Sequence, residues 1–192
     1  MNRRGRSRAA IAAAAAGVVA VALLGTVAAR GSQDRAATAS PAAQAQVTGS
    51  GAQVGDQAPK VTATALDAQK VNLPAGKPSV VFFFAGWCGS CIPEAAALGE
   101  LHREHGDEVD IVAVSIDPGD TPETIGQFMQ AAGSPDYPVV HDATDGIRAA
   151  YEVAALDVTV VTDAAGEVVY RDSVPSTLGQ LQERLRRAGA KV

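Results

Sequence analysis

The stretch Phe82 to Glu94, FFFAGWCGSCIPE, constrains this 192-residue chain more than any other segment. Ser79 to Ala85 is a continuous apolar run of strand length, as expected of a strand buried on both faces. Trp87-Cys88-Gly89-Ser90-Cys91 follows and opens a helix that runs to about His105, with Ala95, Leu98 and Leu101 on one face. C-x-x-C at a strand-to-helix junction has a physical logic. The first cysteine meets free N–H groups and the positive end of the helix dipole, which favour a thiolate. The second lies one turn inside, placed to attack a mixed disulfide and release product. Gly89 and Ser90 are expected to let the backbone turn and to keep the loop short. A lone C-x-x-C is weak evidence; preceded by Trp, between an apolar strand and a helix, it is strong. Two unrelated buried thiols and half of a metal site are the other readings of the pair.

Cys88 and Cys91 are the chain's two cysteines. That number excludes a disulfide-dense scaffold and a four-cysteine zinc site. A bond between them closes too short a loop for useful stapling, so it would serve chemistry rather than stability.

The flanking pattern predicts a folded domain over residues 53–192. Val61 to Ala65 and Val71 to Leu73 read as an N-terminal hairpin. Val109 to Ile116 is a second buried strand, and Pro138 to Val140 a short one. Thr121 to Ala132 is helical, with Thr121 as N-cap and Pro122 at the first helical position. Asp145 to Tyr151 is a short helix. Val158 to Thr162 and Val168 to Arg171 flank the turn Ala164-Ala165-Gly166, and Ser176 is expected to cap a last helix through Arg187. Strands alternating with helices imply an α/β fold around a mostly parallel central sheet, closed by an antiparallel hairpin.

The N-terminus reads as an address. Arg3, Arg4, Arg6 and Arg8 precede an uncharged run from Ala9 to Ala29 that ends at Arg30. At about 1.5 Å per residue, such a run spans the roughly 30 Å of a bilayer core. Residues 1–29 are therefore either a signal peptide cleaved after Ala29 or an uncleaved signal-anchor helix, with the anchor preferred. The positive-inside rule leaves the arginines in the cytoplasm and the domain outside. With no cysteine near residue 30 a lipoprotein is excluded, and the residues after Arg3-Arg4 do not complete a twin-arginine signal. Residues 30–52, rich in Ala, Ser, Gly and Gln, read as a flexible linker. The first 52 residues carry a charge of +5, whereas the remainder carries ten basic and twenty acidic residues, or −10. So acidic a domain argues against nucleic-acid binding.

The chain resembles the TlpA/ResA-like branch of the thioredoxin superfamily over roughly residues 54–188. The matching pieces are Val54-Gly55-Asp56-Gln57-Ala58-Pro59, the strand before Trp87-Cys88-Gly89-Ser90-Cys91, and Glu94 three residues after that motif. Further along they are Val112 to Asp117, Pro138-Val139-Val140 with Asp142, Tyr151-Glu152-Val153, and Thr162 to Gly166. The resemblance implies a thioredoxin-like fold: a central mixed sheet flanked by helices, an N-terminal β-hairpin and a central insertion. It implies that Cys88 is the nucleophile, that Cys91 is the resolving thiol, and that their redox-active disulfide serves in place of any cofactor.

Three departures from the family pattern matter. Where relatives carry a cis-proline opposite the C-x-x-C, this chain has Asp157, in Ala155-Leu156-Asp157-Val158-Thr159-Val160. A cis bond before a non-proline residue costs about 2.5–4 kcal/mol, so Leu156-Asp157 is expected to be trans. Asp157 either points to solvent in a relaxed loop or brings a carboxylate near Cys88, raising its thiol pKa. Second, Phe82 stands where thioredoxins often bury an acid that takes the proton of the second cysteine; Asp157 is a candidate replacement. Third, relatives often place a central acid close to the site; Asp117 lies near that point and receives no firm role. Pro93, in the first turn of the motif helix, is tolerated there. His102 and His105 read as solvated, and His141 beside Asp142 as a lesser site candidate.

The leading reading is an extracytoplasmic dithiol–disulfide oxidoreductase. Its expected partners are exported cysteine-containing proteins, apocytochrome c among those the resemblance implies, and a membrane electron donor or acceptor. A tethered monomer is expected. The alternatives use the same residues. One is a copper or zinc module in which Cys88, Cys91 and Asp157 or His141 are ligands. Another is a peroxidase, since Cys91-Ile92-Pro93-Glu94 resembles the surroundings of a peroxidatic cysteine. The last is a redox-inert docking protein.

Overall fold

The computed structural model describes residues 45–192. The signal or anchor segment, and the expected linker up to residue 44, lie outside the described residues. Among the described residues no helix is long and apolar enough to cross a membrane.

Two sheets organise the domain. The first is antiparallel and holds β1 (Gln46–Thr48), β2 (Lys60–Thr64) and β3 (Lys70–Leu73) in that order. The expected hairpin is β2–β3. The third strand comes from residues assigned to the linker, so the ordered domain begins before residue 53. Pairing explains this: Val47 lies opposite Val61, Gly51 N–H donates to the Ala150 carbonyl, and Ala52 is fully buried. Three residues of Gln-Val-Thr carry too little periodicity to show this in the sequence.

The second sheet holds β4 (Ser79–Phe84), β5 (Asp110–Ser115), β6 (Val139–His141), β7 (Val158–Thr162) and β8 (Val168–Asp172) in the order β6-β5-β4-β7-β8. β4 and β6 pair parallel with β5; β7 pairs antiparallel with β4 and β8. The sheet is therefore evenly mixed rather than mostly parallel. Between β5 and β7 lie α2 (Pro122–Ala131), β6 and α3 (Gly146–Ala150), which form the central insertion. A 3-10 turn over Gly89–Cys91 leads into α1 (Ile92–His105), and α4 (Leu178–Arg187) closes the domain.

β4 is buried along its whole length because both faces of the sheet are covered. Its side chains alternate. Val80, Phe82 and Phe84 join Leu98, Leu101, Phe128, Leu181 and Leu185 from the helices. Val81 and Phe83 join Val61, Val71, Tyr151 and Val160 beneath the first sheet. Full burial of each such side chain stabilises by about 1.5–3 kcal/mol, so this strand is a fixed platform for the cysteine motif at its end. α2 starts as expected, with Thr121 and Thr124 in a reciprocal capping box. α4 does not: its cap is Thr177, paired with Gln180, and the N–H of Ser176 is engaged elsewhere.

Candidate active site

β4 ends at Phe84 and delivers the chain to the edge of the sheet, where Cys88 N–H donates to the Ala85 carbonyl. Cys88 and Cys91 are joined by a disulfide, with 5.4 Å between their Cα atoms. Cys88 caps the 3-10 turn and Cys91 caps α1, so the pair sits at the start of a continuous helical segment. Once reduced, a thiol at position 88 would face the positive end of that segment. Cys88 is 5% exposed and Cys91 fully buried, so an incoming disulfide meets Cys88 first. The Ser90 hydroxyl lies 3.4 Å from Cys88 Sγ. Gly89 has room for a Cβ and no left-handed backbone, so this turn does not depend on glycine at that position.

Trp87 stands on the outside, 69% exposed, beside the pair. Its indole Nε1 donates to Asp117 Oδ2 at 2.5 Å. That bond is the largest of the effects that hold the Asp117 carboxyl below the usual aspartate range. The loop after β5 thus supports the motif from the side, and Asp120 completes the support. Asp120 Oδ2 accepts from Gly86 N–H at 2.7 Å and from the Ser115 hydroxyl at 2.6 Å. A Cβ at residue 86 would lie 2.9 Å from Asp120 Oδ1, so glycine is required there by close approach. Sequence reasoning missed Asp120 and Ser115. The available signal was a second aspartate three residues after Asp117, directly beyond a strand end. His141 belongs to the same cluster through Nε2, 3.1 Å from the Asp117 carbonyl.

Beneath the disulfide the structure corrects the reading of a missing buried acid. Glu94 is fully buried, one helical turn beyond Cys91 on the same face of α1. The Thr159 hydroxyl donates to its Oε1 at 2.6 Å, and Ser176 N–H donates to its Oε2 at 2.8 Å. Thr159 is the cross-strand partner of Phe82. The carboxyl therefore reaches, from the helix side, the patch of sheet that Phe82 leaves apolar. Burial pushes Glu94 up to about 7, against the two hydrogen bonds, and the Asp157 charge adds to the rise. Such a group exchanges a proton near neutral pH.

Asp157 is not turned to solvent. It is 5% exposed, its peptide bond to Leu156 is trans as expected, and its N–H donates to the Phe83 carbonyl at 3.0 Å. Its φ of 61° is left-handed, a conformation that aspartate tolerates better than most residues. Burial, with the nearby Asp172 charge, raises its carboxyl to about 6. Among the described residues no cluster of three His, Cys, Asp or Glu side chains is placed to hold a metal. The peroxidase reading lacks an accessible thiol at Cys91. His102 and His105 are half-buried rather than solvated, with His102 edge-on to Tyr137.

A cysteine pair at a strand-to-helix junction, over a buried carboxyl and beside an exposed indole, defines a thioredoxin-fold dithiol–disulfide oxidoreductase. The chain belongs to the Redoxin family, whose sequence profile matches residues 53–185. It is 35% identical over 132 residues to "Mercury resistance operon ORF3" of Streptomyces lividans, covering 67% of this chain and 69% of that one. It is 28% identical over 138 residues to "Thiol-disulfide oxidoreductase ResA" of Bacillus thuringiensis subsp. konkukian, covering 70% and 78%. The crystal structure of StoA from Bacillus subtilis superposes with a TM-score of 0.59 at 20% identity, covering 68% of this chain and 98% of that one.

Proposed function

We propose that this protein works outside the cytoplasmic membrane, reducing or isomerising disulfides of exported proteins by dithiol exchange at Cys88 and Cys91. The observation that carries the reading is the asymmetry of the pair. Cys88 lies at the helix start beside the exposed Trp87 and keeps 5% exposure, and Cys91 is fully buried one turn before the buried Glu94. Cys88 attacks a substrate disulfide to form a mixed disulfide, and Cys91 then attacks Cys88 and releases the reduced substrate. No separate cofactor enters the cycle. Electrons return from a membrane donor, because an N-terminal anchor would hold the domain away from cytoplasmic reductants. Apocytochrome c belongs to the substrate class, and the protein acts as a monomer.

The test is a trap. Cys91→Ser, expressed as the full chain, should accumulate mixed disulfides between Cys88 and exported proteins in the cell envelope. Cys88→Ser should accumulate none. Adducts restricted to cytoplasmic proteins, or none from Cys91→Ser, would overturn the proposal.

A further inference from the structure

We propose that Asp157 is a positioning residue that sets the ionisation of Glu94, and through it the rate at which Cys91 closes on a mixed disulfide at Cys88. The inference rests on the oxidoreductase reading and deepens it.

Three observations carry it. Asp157 is nineteen-twentieths buried, and its Oδ1 is fully enclosed with no hydrogen-bond partner. An unpaired buried carboxylate oxygen is expensive. Second, Asp157 lies two residues before Thr159, whose hydroxyl holds Glu94 Oε1. Third, the available countercharge is already engaged. Asp172 on β8 lies directly across from Thr159 and takes Arg184 Nη2 at 3.4 Å as well as the Tyr170 hydroxyl. Arg184, from α4, also donates to the Ser176 hydroxyl and stacks 3.7 Å over the Tyr170 ring. Glu94 from α1, Asp157 just before β7 and Asp172 from β8 thus lie within one another's field, beside the Tyr137 and Tyr170 phenols, and the Arg184 guanidinium is bound to Asp172. Like charges so enclosed oppose each other's ionisation. The directions agree: the Asp157 charge raises Glu94, and the Asp172 charge raises Asp157.

The affected step balances without an outside reagent. In the mixed disulfide the Glu94 carboxylate takes the Cys91 thiol proton. The Cys91 thiolate forms a bond to Cys88 sulfur, the Cys88–substrate bond breaks, and substrate sulfur leaves as a thiolate. Cys88 and Cys91 are oxidised to the disulfide and the substrate disulfide is reduced. The step quickens with rising pH as Glu94 ionises. A neighbouring negative charge that delays this ionisation moves the rise to higher pH.

Asp157→Asn and Asp157→Gly remove the charge, and both residues accept the left-handed backbone of position 157. The full-length reduced protein is mixed with dithiobis-nitrobenzoate across pH 5–9. The first thiolate released reports attack by Cys88, and the second reports closure by Cys91. In both variants the rise in the second rate should move to lower pH by up to about half a unit, making closure up to about threefold faster around neutral pH, where wild-type Asp157 is charged, while the rates converge near pH 5, where Asp157 is itself protonated. Profiles that superpose on wild type, or that move to higher pH, overturn the proposal. A wild-type protein that releases the first thiolate and never the second overturns the oxidoreductase reading instead.

Discussion

Replacing Glu94 by Gln removes one ionisation and keeps the shape of the site. The amide oxygen can accept from Ser176 N–H, and the amide nitrogen can donate to a reversed Thr159 hydroxyl. In the wild-type protein the folded carboxyl holds its proton up to about pH 7, whereas the unfolded one loses it near 4.5. A raised acid binds its proton more tightly when folded, so its stabilising contribution is complete below 4.5 and disappears as the pH climbs through 7. The gap is worth about 3 kcal/mol, or about 1–3 M in a urea midpoint. Asp157, raised to about 6, acts in the same direction but is present in both proteins. Urea unfolding of the oxidised protein at pH 4.5 and pH 8 should therefore show a large loss in wild type and a much smaller one in Glu94→Gln. Equal losses in the two proteins would refute the assignment of a buried, neutral-titrating carboxyl to Glu94.

Other perturbations probe neighbouring parts of the site. Thr159→Val removes the donor to Glu94 Oε1, which favours the charged form, so the pH rise of the closure step should move upward, opposite to Asp157→Asn. Gly86→Ala drives a Cβ against Asp120 and should destabilise by about 1–3 kcal/mol, read as a lowered Tm. Trp87 is the chain's one tryptophan, so its fluorescence reports the site directly. Asp117→Ala should free the indole, altering emission and raising KM for protein disulfides while leaving attack on small disulfides near wild type. An unchanged spectrum would show that the indole is held by other contacts.

Much of this architecture is legible in the chain. β4 and α1 are readable because an apolar run with both faces covered, and an apolar stripe at helical spacing, leave few alternatives. The cysteine pair is readable because chemistry at a helix start needs that order. Glu94 belongs to the matching motif, yet its burial went unread, although Cys91, Ala95, Leu98 and Leu101 mark the stripe on which it falls. A charge within an apolar stripe is itself a signal. Two features are beyond local patterning. Asp157 is 5% exposed where its N–H meets the Phe83 carbonyl of β4 and the Asp172 charge of β8 lies nearby, long-range facts that no window around residue 157 contains. Ser176 fails as a helix cap because its N–H is bound to a residue 82 positions away. The nearby Thr177–Gln180 capping box is present in the sequence and points to the true start.

The central claim is that Cys88 and Cys91 cycle as a two-electron pair. Titration of the full chain in glutathione buffers of defined potential, read by thiol alkylation in metal-free solution, tests this most directly. The account predicts one reversible two-electron transition, abolished by Cys88→Ser or Cys91→Ser. For a reductant or isomerase the midpoint should lie between about −270 and about −180 mV. A midpoint near about −120 mV would contradict the direction of electron flow. A pair that cannot be cycled, or that cycles only after a metal is stripped, would contradict the account as a whole.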